Sequence, residues 1–194
     1  AGEAHYLAVT LAALLETEAE AWGLAALITL SLARAAGRGP AYVPIERQDP
    51  RAWDARLIAE GGAYLRRAAS LGAPRRFQLE AAIQSVHCDR ARTGRTDWDA
   101  LRTLYSALVA VEPSLGGRVA LAAVTGRAQN PEAGLAKLSG IPDGFQPLHA
   151  VRADLLVRAG RPAEAAEAFR AAIALTPNGP VRSYLEGRSL SLPR

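Results

Sequence analysis

Three histidines and a single cysteine are the side chains of this 194-residue chain best suited to nucleophilic or metal chemistry. His5, His87 and His149 stand far apart. None has the His-x-x-x-His or Cys-x-x-Cys spacing that turns two ligands toward one metal. His87 and Cys88 adjoin, but neighbours on a helix point about 100° apart, so the pair reads as packing. The pairs Gly61-Gly62 and Gly116-Gly117 lack the strand-to-helix setting and following Lys-Ser/Thr of a phosphate loop. They read as close helix packing or helix breaks. Catalysis needs a nucleophile with its base, paired carboxylates or a metal cluster. The pattern offers none of these, so no catalytic residue, metal or cofactor is expected.

The chemistry that remains is recognition. Of 23 basic residues only Lys137 is a lysine, and the charge is unevenly spread. Residues 1–36 carry a net −3, whereas residues 66–102 carry eight arginines against four acids, a net +4. A pI near 9.7 passes the usual mark for nucleic-acid binders, yet acids interrupt the arginine patch. Direct nucleic-acid binding by this chain is therefore not the expectation. The pairs Arg66/Arg67 and Arg75/Arg76 read first as solvated helix faces and second as partner contacts. The segment Ile45-Glu-Arg-Gln-Asp-Pro-Arg-Ala-Trp-Asp54 is the sharper candidate. It sets Arg47, Gln48, Asp49, Arg51 and Asp54 around Trp53, and arginine with tryptophan is the composition of binding hot spots. The competing structural reading makes Asp49 a helix cap and Trp53 an anchor for the loop.

Helices must position these groups. Thr17 and Glu20 are spaced as a capping box and separate helices over about 4–15 and 18–35, ended by Gly37 and Gly39. A proline-bearing loop spans 37–54. Asp49-Pro50 predicts a helix start with proline at its first position, running to about Ser70. Another helix is expected from Pro74 to about Arg90. Thr96 and Asp99 predict a helix with Trp98, Leu101, Tyr105 and Leu108 on one stripe, closed by Pro113. Asn130-Pro131 opens the next; Leu148, Val151, Leu155 and Ala159 mark a further stripe. Pro162 opens a last one carrying Ala165, Phe169 and Ala172. Leu101, Ala133 and Ala165 recur at a spacing of 32, close to the 34 of tetratricopeptide repeats. The expectation is an all-α fold, an array of tetratricopeptide-like helical hairpins stacked as a solenoid. Residues 1–95 would form a helical N-terminal part and 96–194 degenerate repeats, in one continuous domain.

Bulk features narrow the setting. The longest apolar stretch, Ala21 to Ala33, is too short to span a bilayer, so no membrane role is expected. One cysteine cannot form an internal disulfide, which favours a reducing cytoplasm. The chain contains no methionine, even at its first position. Either it starts inside a longer gene product, the favoured reading, or its methionines were replaced or processed away.

Several segments together resemble the C-terminal tetratricopeptide-type extension of one group of bacterial extracytoplasmic-function RNA polymerase sigma factors. The family stretch L-x-x-Q-D-R-S-R-W-D is similar to Ile45–Asp54, and A-E-A-x-G-L-L-A-L to Glu18–Leu27. Likewise Y-Q-L-Q-A-A-I-x-x-x-H resembles Phe77–His87, T-D-W-x-x-I-x-x-L-Y-D-x-L resembles Thr96–Leu108, and H-A-x-R-A-D-L-L-R-R-x-G-R resembles His149–Arg161. The resemblance covers about residues 15–188, in order. One departure stands out: the family's P-S-P-V-V-x-L-N-R-A is Pro113-Ser-Leu-Gly-Gly-Arg-Val-Ala-Leu-Ala122 here, without the Asn-Arg pair.

The resemblance implies a cytoplasmic regulatory tail that tunes transcription initiation through the sigma-factor core regions, RNA polymerase or a regulatory protein. DNA would be read by N-terminal regions that these residues do not contain. The alternative is a free-standing tetratricopeptide-like adaptor that binds a peptide. The coding sequence upstream of residue 1 separates the two.

Overall fold

Alanine-rich segments without long β-branched runs favour helix, and the computed structural model, which describes residues 2–35 and 41–193, is all-helical. No strand occurs among the described residues. Two compact units form, residues 1–39 with 44–112, and residues 40–43 with 113–194. The division falls between Glu112 and Pro113.

The first unit contains α1 (Gly2–Leu14), α2 (Ala19–Ala33), α3 (Ala55–Leu71), α4 (Arg76–Cys88), the short α5 (Arg90–Thr93) and α6 (Trp98–Val111). Helix α2 is the hub, packing against α1, α3 and α4. Its buried residues include Ala21, Ala25, Ala26, Thr29, Leu30 and Ala33, so it presents small side chains on several sides at once. Two glycines set how close its neighbours come. A β-carbon on Gly61 of α3 would lie 2.7 Å from Leu30 Cγ, and one on Gly23 would lie 2.8 Å from the Gln78 amide nitrogen of α4. Helix α6 packs on α4 through a stripe in which Leu101 and Leu108 are buried and Trp98 and Tyr105 half-buried.

The helix starts differ from the expected caps in an instructive way. Glu18, not Thr17, caps α2, accepting from the Glu20 amide at 3.3 Å. Glu20 turns instead to another helix. Its carboxylate accepts from the Phe77 and Gln78 amides at 2.8 and 3.2 Å, at the N-terminus of α4. Arg75, the residue before α4, supplies no side-chain acceptor, so the exposed amides of that first turn take a carboxylate from α2. Asp49-Pro50 begins only a 3-10 turn, Pro50–Ala52; α3 starts later, where Asp54 accepts from the Leu57 amide at 3.0 Å. Asp97 rather than Thr96 caps α6, accepting from the Ala100 amide at 2.9 Å. The expected stops at Gly37 and Gly39, and residues 37–40 of the loop, lie outside the described residues.

The second unit contains α7 (Leu115–Ala128), α8 (Pro131–Ala136), α9 (Gln146–Arg158), α10 (Pro162–Ala174) and α11 (Pro180–Leu190). Asn130 caps α8 as the sequence indicates, accepting from the Ala133 amide at 2.9 Å. Two apolar clusters run through the unit. Val119, Ala122, Leu138, Ile141, Leu148 and Leu155 form one, while Ala153, Leu156, Ala165, Ala168, Phe169, Ala172 and Leu185 form the other. Leu155 and Leu156 look into different clusters, so α9 is packed on two sides. Of the three residues spaced by 32, Leu101 and Ala165 are fully buried, but Ala133 is only half-buried. The next residue takes the buried place: a β-carbon on Gly134 would lie 2.9 Å from the Cα of Gly126 on α7.

Replacing Gly61 by alanine forces Leu30 aside and is expected to cost about 1–3 kcal/mol in urea unfolding. Gly116→Ala, in the first turn of α7 with nothing within 4 Å of the new carbon, should instead gain about 0.5 kcal/mol. Equal effects at the two sites would contradict the close approach described for α2.

Candidate functional site

The segment from Pro44 to Asp54 is built of two successive 3-10 turns, Ile45–Arg47 and Pro50–Ala52, separated by extended Gln48 and Asp49. Such short turns bring few backbone bonds, so the loop needs outside support. Arg90 supplies it. Its guanidinium donates to the carbonyl of Ile45 and, at 3.1 Å, to that of Gln48, and lies 5.4 Å from the centre of the Trp53 ring. A planar group with several donors suits this double task. At the far end, the Asp54 amide donates to the Ala33 carbonyl at 2.9 Å, tying the loop to the last turn of α2.

This arrangement sorts the candidate residues into two sets. Trp53, 6% exposed, and Gln48, 8% exposed, face the interior. Trp53 is therefore packed against the inside of the loop, the place that the anchor reading gives it. Arg47, Asp49, Arg51 and Asp54 lie on the outside. Asp49 caps the second turn by accepting from the Arg51 amide at 3.0 Å, and its carboxylate takes three further bonds from the Arg51 guanidinium at 3.1, 3.3 and 3.1 Å. The Arg51 hydrogen bonds hold the Asp49 carboxyl below its usual range, and the same pairing raises the Arg51 guanidinium. Asp54 caps α3 and is itself exposed.

The arginine pairs do not join this loop. Arg66 and Arg67 lie on α3 roughly 16 Å along the axis from its start, given 1.5 Å per residue. Arg75 and Arg76 follow at the turn into α4. All four are exposed. Arg67 donates to the Glu16 carbonyl at 3.4 Å, and Arg76 pairs with Glu80 at 2.9 Å while its guanidinium lies 5.5 Å from the Phe77 ring centre. Charge thus gathers at both ends of α3, as two separate sets.

Near the loop lie further buried polar groups, of which Arg34 was not singled out by the sequence. Arg34 is 6% exposed and donates to the Gln84 carboxamide oxygen of α4. His87 is 8% exposed, its Nδ1 buried without a hydrogen-bond partner. Burial, then the nearby Arg34 and Arg90 charges, push its imidazole down to about 4. Cys88, 1% exposed, is driven up to about 11, mainly by burial, so its thiol is not a nucleophile at neutral pH. His5 lies 3.7 Å from Glu60, and His149 belongs to the second unit, where Nε2 donates to the Asp143 carbonyl at 2.7 Å. Among the described residues no three His, Cys, Asp or Glu side chains gather as a metal site.

In the second unit, Asp154 collects three guanidinium groups: Arg158 at 2.9 Å, Arg188 at 3.3 Å and Arg127 at 3.8 Å. Burial pushes the Asp154 carboxyl up, but the Arg158 hydrogen bond and the three positive charges outweigh it and hold it low. Arg188 also donates to Tyr184 and lies over the Phe169 ring, so the cluster ties α7, α9 and α11 to the apolar core.

Two outcomes test the support of the loop. Arg90→Ala should lower stability by about 2 kcal/mol and expose Trp53 to fluorescence quenchers; Arg90→Lys, lacking the planar fork, should recover less than half of that. His87 stays neutral in the folded chain down to about pH 4, whereas the unfolded chain takes up its proton near 6.5. The unfolded state therefore binds more protons in between, and the stability present above about pH 6.5 is lost as pH falls toward 4. At most about 3 kcal/mol rides on this group. His87→Gln should flatten that interval of the profile in denaturant titrations between pH 7 and 4, and an unaltered slope would refute the assignment.

Comparison with known proteins adds little chemistry. A family of unknown function (DUF6596) matches residues 1–69. The chain is 34% identical over 189 residues to an uncharacterized protein of Rhizobium meliloti (strain 1021), an alignment covering 94% of this chain and 45% of that protein. The chain thus spans less than half the length of this curated relative. No solved structure matches. No helix among the described residues is long and apolar enough to cross a membrane.

Proposed function

We propose that this chain is a protein-interaction domain of tetratricopeptide-like helical hairpins, serving as the regulatory C-terminal part of a cytoplasmic bacterial sigma factor. The observation that carries the reading is the loop 44–54. Its interior is fastened by Arg90 and Trp53, and its exterior offers Arg47 and Arg51 in a preset conformation. A surface ordered before binding loses less entropy when a partner docks. The Q-D-P-R-A-W-D pattern that resembles the sigma-factor extensions is the segment so held. Other features support the repeat reading. Helices α9 and α10 pack together with Ala165, Phe169 and Ala172 inside, and Pro177 follows the second helix. The greater length of the Rhizobium relative suits a domain that works within a longer protein.

In this reading the loop contacts the sigma core, the polymerase or a regulator and biases the factor between competent and incompetent states. The arginines at the other end of α3, Arg66, Arg67, Arg75 and Arg76, supply a second contact. The domain does no chemistry and needs no cofactor; DNA is bound elsewhere in the full protein.

The test uses the longer gene product that carries this chain. Arg47→Ala with Arg51→Ala leaves Arg90 and Trp53 intact, so the loop keeps its shape while losing its outward charge. Transcription from a dependent promoter should change by about fivefold or more at equal protein level. Unaltered transcription would count against the loop as the contact. A polymerase that never associates with the protein would remove the sigma-factor reading altogether.

A further inference from the structure

Helix α1 has a face that its own unit leaves uncovered. It rests on α2 through Ala8 and Ala12, which pack with Ala21 and Ala25. Leu7, Leu11 and Leu14 are 57%, 42% and 77% exposed, with Tyr6 at 68% and Leu15 at 45% beside them. At 3.6 residues per turn the three leucines fall on one stripe, turned well away from the two alanines. Single exposed leucines are ordinary on any surface, but five large apolar side chains on one short segment form a patch of the kind that marks an interface.

The charges around the patch say what fits it. Residues 1–33 hold Glu3, Glu16, Glu18 and Glu20 and no Lys or Arg, so all 23 basic residues lie in the rest of the chain. Glu3 is exposed at the start of the stripe, and Glu16 and Glu18 are exposed at its end. The neighbouring charges are already engaged. Arg67 reaches the Glu16 carbonyl at 3.4 Å, and Glu60 sits between Arg56 at 3.1 Å and His5 at 3.7 Å. A second copy of α1 is a poor occupant. Antiparallel pairing sets Glu3 against Glu16 and Glu18, and parallel pairing sets each acid against itself. An anionic lipid surface is repelled for the same reason.

We infer that α1 is a docking rail for an amphipathic helix of a protein partner, one with a leucine-type stripe flanked at both ends by Arg or Lys. The knobs of the partner fill the spaces between Leu7, Leu11 and Leu14, and its basic ends meet the acids at either end of α1. This contact involves no residue of the loop 44–54, so it stands or falls separately from the sigma-factor reading.

The probe is a synthetic helix of about 18 residues with Leu at heptad spacing and Arg at both ends, titrated against the 194-residue chain by fluorescence anisotropy. A control peptide keeps the Leu pattern and carries Glu at the ends. The Arg peptide should bind at least about tenfold more tightly than the Glu peptide, and added salt should narrow the gap. Leu7→Ser with Leu11→Ser, at exposed positions, should weaken binding about tenfold while leaving thermal unfolding unchanged. Glu3→Gln with Glu16→Gln keeps the apolar face and should erase the preference between peptides. Equal binding of both peptides, or no loss in the leucine variant, overturns the proposal. So does sedimentation showing a dimer that Leu11→Ser dissociates, or α1-dependent binding to phosphatidylglycerol vesicles in preference to the Arg peptide.

Discussion

The first unit depends on how closely helices can approach α2. Three helices share one short, alanine-rich rod, and small residues are what make this possible. Gly23 admits the N-terminus of α4, Gly61 admits Leu30, and the resulting contact brings Glu20 within reach of two amides that would otherwise lack acceptors. Apolar packing and polar satisfaction are thus one event here. Close approach creates the hydrogen bonds, and the hydrogen bonds fix the approach.

The same hub governs the loop. The last turn of α2 receives the Asp54 amide, and α4 continues into the residue that grips the loop from beneath. Arg34 and His87 are buried on this line, and the bond to Gln84 is one of the contacts that offset the cost of enclosing Arg34.

Helix existence was legible because apolar periodicity and proline or glycine punctuation agree along most of the chain; α9 and α10 follow it closely. The caps were less so. Thr17, Asp49 and Thr96 are good cap residues by type, yet Glu18, Asp54 and Asp97 cap the three α-helices nearby. Thr17 and Thr96 each lose to the next residue, and Asp49 caps a 3-10 turn ahead of the helix that Asp54 caps; Glu20 was claimed by α4, a partner 57 residues away that no local pattern reveals. The loop 45–54 was recognisable as special, but its two faces were not separable. Trp53 has the composition of a contact and the burial of an anchor. Arg90 escaped notice because one arginine among eight in a charged stretch carries no distinguishing spacing. Asp154 was hidden likewise, since its partners come from α7 and α11 as well as from its own helix.

Arg90 holds the loop by main-chain oxygens and by the face of one ring, not by any carboxylate that points outward. The shape of the loop is therefore insulated from the identity of the residues it displays. Replacing Arg47 or Arg51 would therefore alter the charge that the loop displays while leaving in place the main-chain grip that holds its backbone.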